Sequence, residues 1–148
     1  MLKSVVVAVV CCLSASAIAA EGLVVKPSNY SVGETIDRLE TILKDKGLKI
    51  FARIDHQAGA AGADLDLPPT QVLIFGNPKL GTPLMTSAPT AAIDLPQKAL
   101  AYQDASGKVF LAYNDIGYLV ARHGIGGREA VVEKIRGALR KFTDAATK

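Results

Sequence analysis

The sequence predicts one α+β domain: an antiparallel sheet with helices packed on one face. Two amphipathic helical patterns lie near the two ends, and strand-like runs with a hairpin turn lie between them. That order, without regular strand–helix alternation, favours an antiparallel sheet over a parallel one. Leu23-Val24-Val25 reads as a short opening strand. SVGE at 31–34 is a capping box, with Ser31 as N-cap and Glu34 three residues on. Behind it, Val32, Ile36, Leu39 and Leu43 line one helical face, and Lys44, Lys46 and Gly47 form the stop. From Leu48 to His56 the residues alternate, which places His56 on the same side as Leu48, Ile50 and Ile54, toward the core or its mouth. AGAAGADLDLPP reads as a turn or short helical piece. Gln71 to Phe75 is a nearly continuous apolar run, the mark of a central strand covered on both faces.

Residues 77–96 carry four prolines and read as a long connection holding one helical turn. KALAYQD and KVFLAYND around ASG form a hairpin with Gly107 at the turn. Asn114 or Asp115 starts a short helix through Arg122, stopped by Gly124. The last helix runs from about Arg128 to Phe142, with Val131, Val132, Ile135, Leu139 and Phe142 as its stripe.

The first twenty residues, MLKSVVVAVVCCLSASAIAA, read as a secretory signal peptide cleaved near Ala19 or Ala20. Their apolar run is too short to span a bilayer. A lipoprotein reading of Cys11 or Cys12 meets the bulky Val10 where a small residue is wanted. The expected product is periplasmic or secreted, without a transmembrane segment, and comprises residues 21–148. Cleavage removes both cysteines, and with them any disulfide, thiol nucleophile or thiolate metal site. With Lys3 gone, 16 basic residues face 14 acidic ones. No basic run suggests a nucleic-acid surface.

GNPKLGTP at 76–83 follows a strand and has the glycine spacing of a phosphate-binding loop. That chemistry needs a lysine and then a hydroxyl after the second glycine. Thr82 and Pro83 stand there instead, and Pro83 has no N–H to offer an anion. The segment is expected to be a turn begun by Asn77-Pro78, with unusual torsions at Gly76 and Gly81 and with Thr82 capping a short helix from Pro83.

His56 and His123 are the two histidines. With Asp55 or Asp94 they are sufficient in number for zinc or non-haem iron, and one alone could be an axial haem ligand. No HxH, HxxxH or HExxH spacing links them, so any such site must be assembled by the fold. The commoner role is a histidine bonded to a carbonyl or an aspartate. His123 also falls at a helix C-terminus, where its charged form is favoured. Of the serines at 28, 31, 87 and 106, none sits in a G-x-S-x-G elbow, and only Ser87 is a candidate nucleophile. Tyr102, Phe110, Tyr113 and Tyr118 read first as cross-strand packing, and secondly as the lining of a ligand pocket.

IDH at 54–56, LIFGNPKLGTPLM at 73–85, IDLPQKALAYQD at 93–104 and YNDIGYLVARHG at 113–124 together resemble a bacterial family, domain of unknown function 302. The resemblance covers nearly the whole chain after the leader. It implies the β-α-β(4)-α fold and a homodimer, and no established activity. On its motifs fall His56, Gly76-Asn77-Pro78, Gly81-Thr82-Pro83, Asp94, Pro96 and Arg122-His123. The ligand-binding candidates are therefore His56, Asn77, Thr82, Asp94, Tyr113, Arg122 and His123, with His56 and His123 as the metal candidates. Two functions stand open: a non-catalytic module binding a small ligand or a protein, or a metal- or haem-binding protein, even a small enzyme, using both histidines.

Overall fold

The computed structural model describes residues 20–148. The expected leader and both cysteines lie outside the described residues. Strand β1 (Leu23–Pro27) leads through the Ser31 cap into helix α1 (Val32–Asp45). Both halves of the capping box form: Glu34 N–H donates to Ser31 Oγ, and Ser31 N–H donates to Glu34 Oε2 at 3.0 Å. After β2 (Lys49–Asp55), α2 (His56–Ala61), β3 (Thr70–Gly76) and α3 (Pro78–Ser87) comes a 3-10 turn (Pro89–Ile93). The hairpin β4 (Gln97–Gln103) and β5 (Val109–Asn114), then α4 (Ile116–His123) and α5 (Glu129–Thr147), complete the domain.

The five strands form one sheet in the order β1-β5-β4-β3-β2, antiparallel throughout. Leu73 and Phe75 of β3 face the helices beside Ala99 and Ala101 of β4 and Leu111 and Tyr113 of β5, all buried. The alanines at the centre leave room for Ile36, Leu39 and Leu43 of α1, each 0% exposed. On the other face Val25, Phe110, Leu100, Val72 and Ile74 are half-buried and Ile54 is exposed. That face corrects the reading of β3 as covered on both sides.

Three further expectations change. A β-bulge at Phe51, between Ile50 and Ala52, switches the alternation of β2. An inserted residue displaces every later side chain to the other face. Ile54 thus leaves the core side, and His56 is not a strand residue. It opens α2, exposed, with Asp55 Oδ1 accepting from Ala58 N–H at 2.9 Å as the cap. The connection at 77–96 is largely helical: α3 begins one residue after Asn77, whose side chain caps it, and Pro83 lies inside it rather than at its start. Neither Gly76 nor Gly81 is among the positive-φ glycines. Finally, α5 runs past Phe142 because Thr143, Ala146 and Thr147 bury the same stripe. Thr143 and Thr147 hydroxyls donate within the helix to Leu139 O and Thr143 O, at 2.7 and 2.9 Å.

Candidate functional site

An apolar recess of about 190 Å³ opens where β3 runs into α3 and β4 begins. Phe75 and Gln97, partners across β3 and β4, form its floor. Leu80, Gly81 and Met85 of α3 make one wall, and Ile135, Ala138 and Phe142 of α5 make another. Leu48, Phe51 and the Leu95-Pro96 segment close the sides. The bulge that moved His56 to the surface also leaves the Phe51 ring on this rim. An added Cβ at Gly76 would be 3.6 Å from Phe51 Cε2 and 3.5 Å from Pro96 Cβ. Phe51 is 46% exposed, as a residue at the mouth of a recess would be.

Among the described residues the lining contains no Lys, Arg, His, Asp or Glu. Its one deeply placed polar group is the Gln97 amide. Gln97 is 8% exposed, and its Nε2 is buried with no hydrogen-bond partner among the described residues. A buried amide left unpaired costs about 1–3 kcal/mol, so natural folds seldom keep one without a use. Gln97 was missed at the sequence level although a signal existed. It occupies the buried phase of the alternation Gln97, Ala99, Ala101, where a polar side chain is out of place.

The α3 N-terminus borders this recess, but it has no free donors for an anion. Pro78 has no N–H, Lys79 N–H donates to Asn77 Oδ1, and Leu80 and Gly81 N–H both donate to Asn77 O. The phosphate-loop geometry is therefore absent in space as well as in sequence. Asn77 and Thr82 belong to the lining.

Asp94, Arg122 and His123 form a second constellation just outside it. His123 Nε2 and Asp94 Oδ2 are 2.6 Å apart, and Nδ1 lies 3.0 Å from Thr90 Oγ1. A carboxylate accepts, so Nε2 carries the proton shared with Asp94, and Nδ1 and the Thr90 hydroxyl form the second bond. Arg122 Nη1 approaches Asp94 Oδ1 at 3.4 Å. Hydroxyl, imidazole and carboxylate occur in the order of a hydrolytic triad, yet the His123 side chain is only 6% exposed and offers no open face to a substrate. The cluster pins the C-terminus of α4 to the 3-10 turn. Ser87, the candidate nucleophile, instead donates to Gly126 O at 3.0 Å.

The two histidines do not meet. His56 follows the end of β2 where Asp55 pairs with Gln71, whereas Asp94, which holds His123, precedes the opposite end, where Phe75 pairs with Gln97. The length of those strands puts them about 20 Å apart, while a common zinc needs bonds of about 2 Å. Among the described residues no group of three or more His, Cys, Asp or Glu is placed to hold a metal ion. Tyr113, the remaining candidate, is buried on the helical face with Lys26 Nζ 5.6 Å from its ring centre, away from the recess. Tyr102 and Phe110 stack with centroids 5.6 Å apart on the open face, as cross-strand packing predicts.

The family model described as "Domain of unknown function DUF302" matches residues 24–143. Two curated relatives, each named "Fluoride-specific ion channel FluC 1", come from Brucella suis biovar 1 and Brucella abortus biovar 1. Both are 50% identical over 105 residues, which is 71% of this chain but 41% and 39% of those proteins. The chain thus spans about two fifths of the curated relatives it matches. Among solved structures, the crystal structure of an uncharacterized conserved protein DUF302 from Bacillus stearothermophilus superimposes with a TM-score of 0.76. It is 21% identical and covers 87% of this chain and 100% of that one, a likeness of fold.

Proposed function

This chain belongs to the DUF302 family, and from the recess of this member we propose a binding domain for small apolar molecules rather than an enzyme. The observation that carries the reading is the uncharged recess of about 190 Å³ enclosed by α3, α5 and the β2–β4 end of the sheet. It is slightly larger than the roughly 150 Å³ dry cavity known to accept benzene. It is smaller than the roughly 300–1,000 Å³ pockets of drug-sized ligands. A monocyclic or short-chain molecule therefore fits. Titration of the full chain with isopropylbenzene, followed by NMR shifts of recess residues and by thermal unfolding, is expected to show saturable binding and a raised Tm. Ala138→Phe, which fills the space, should abolish both. No saturable binding to the parent protein would refute the reading.

Two further proposals concern the setting. The leader pattern supports action outside the cytoplasm, checked by the amino-terminal sequence of protein recovered from the cell envelope. The half-buried apolar face of Val72, Ile74, Leu100 and Phe110 supports a homodimer through the open side of the sheet. Light scattering is expected to give a dimer that Ile74→Asp converts to a monomer. The name carried by the Brucella relatives belongs to proteins more than twice as long as the matched segment. Among the described residues no helix is long and apolar enough to cross a membrane, and conduction is not proposed for this domain.

A further inference from the structure

Resting on the recess as a ligand site, we infer that its ligand is a neutral molecule headed by a hydrogen-bond acceptor, a ketone, ester or amide carbonyl, received by the Gln97 side-chain amide. Three observations combine. Gln97 Nε2 is a buried donor without a partner among the described residues, on a residue that lines the recess and is 8% exposed. Apart from Asn77 and Thr82, the rest of the lining, Phe75, Leu80, Leu139 and Phe142 included, is apolar. Among the described residues no cationic side chain lines the space.

The first observation selects the head group. A donor left unpaired in an apolar setting is stabilised by any acceptor placed against it, and a purely hydrocarbon ligand would leave it unpaired in the complex as well. The third selects the charge. A carboxylate entering this recess would lose its hydration and meet only neutral polar groups, which do not offset the desolvation of an ion. The position of Gln97 opposite Phe75, on paired strands, places the donor on the sheet. The acceptor end is thus read by the sheet, and the apolar body lies between α3 and α5.

The test compares acetophenone with isopropylbenzene, which has the same shape without the carbonyl, and with benzoate, on the full chain. In the parent protein acetophenone is expected to move the Gln97 side-chain amide protons downfield, beyond the ring-current shift that isopropylbenzene produces. In Gln97→Leu the ratio of acetophenone to isopropylbenzene affinity should fall about tenfold, the usual consequence of losing one buried hydrogen bond, while isopropylbenzene still binds. Taking that ratio across both proteins cancels the different hydration of the two ligands. If the two ligands move the amide resonances alike, or the ratio is unchanged in Gln97→Leu, the role of Gln97 is overturned while the apolar site stands. If benzoate binds more tightly than acetophenone, the neutral class is overturned. If none of the three binds, this inference and the ligand site fall together. The resonance shift in the parent protein decides the matter even if Gln97→Leu does not fold.

Discussion

Gly81 and Gly22 occupy opposite kinds of position. Gly81 sits inside α3 with ordinary torsions, and an added Cβ there would meet only Leu95 Cδ1 at 3.9 Å and Met85 Cε at 4.0 Å. Those are normal contacts, so Gly81→Ala should stabilise the fold by about 0.8–1 kcal/mol through helix propensity alone. Gly22 has φ +79°, and a Cβ there would lie 2.4 Å from Tyr118 Cγ. Left-handed strain of about 1–2 kcal/mol adds to a clash that the half-buried ring must move to relieve. Gly22→Ala is therefore expected to lose more than about 2 kcal/mol, with urea midpoints of the two variants moving in opposite directions. Equal effects would show that neither backbone argument holds. From sequence the two glycines look alike; φ and the neighbouring ring distinguish them.

Among the elements, α3 starts on a single side-chain cap. Asn77 Oδ1 accepts from Lys79 N–H, and nothing else satisfies that donor at the start of the helix. Asn77→Ala should cost about 1 kcal/mol, and because α3 is a wall of the recess it should also weaken isopropylbenzene binding. An unchanged midpoint in urea would show that Pro78 alone sets the helix start. The α4 end is held differently, through His123 between Asp94 and Thr90. His123→Ala removes both bonds and leaves a half-buried carboxylate with only Arg122 at 3.4 Å, at a cost of about 2 kcal/mol. Amide exchange at the 3-10 turn should quicken in that variant. No such change would mean that the turn is held by its own packing. The α1 cap was legible because S-x-x-E is a local signature. The α3 cap was not, because the four prolines and the look of a loop outweighed an Asn-Pro start that is equally local.

At the scale of the whole molecule, three carboxyls link folding to pH. The Ser31 hydroxyl, with its backbone N–H, holds the Glu34 carboxyl below its ordinary 4.5. The Ser106 hydroxyl, with the Lys108 and Ser106 N–H groups, does the same for Asp104, and the Lys26 ammonium for Asp144, both below 3.8. Each folded value is depressed, so the unfolded chain binds more protons in the window between the two values. Their contribution is complete above the ordinary values and is lost as pH falls through the folded ones. Their contribution to the urea midpoint should be full above about pH 5 and decline below about 4.5 as these groups protonate. A midpoint that rises on acidification would contradict this assignment.

The sequence by itself determined the α+β class, the α1 helix with its cap, the hairpin around Gly107 and the exclusion of a phosphate loop, because each depends on residues a few positions apart. The tertiary structure decided the site. One inserted residue at Phe51 reversed the direction of the β2 side chains and carried His56 out of the core. The register of β3 on β4 placed Gln97 beside Phe75, and the packing of α3 and α5 enclosed them. Local patterns record which residues share a face. Only long-range pairing sets which faces close around an unpaired donor.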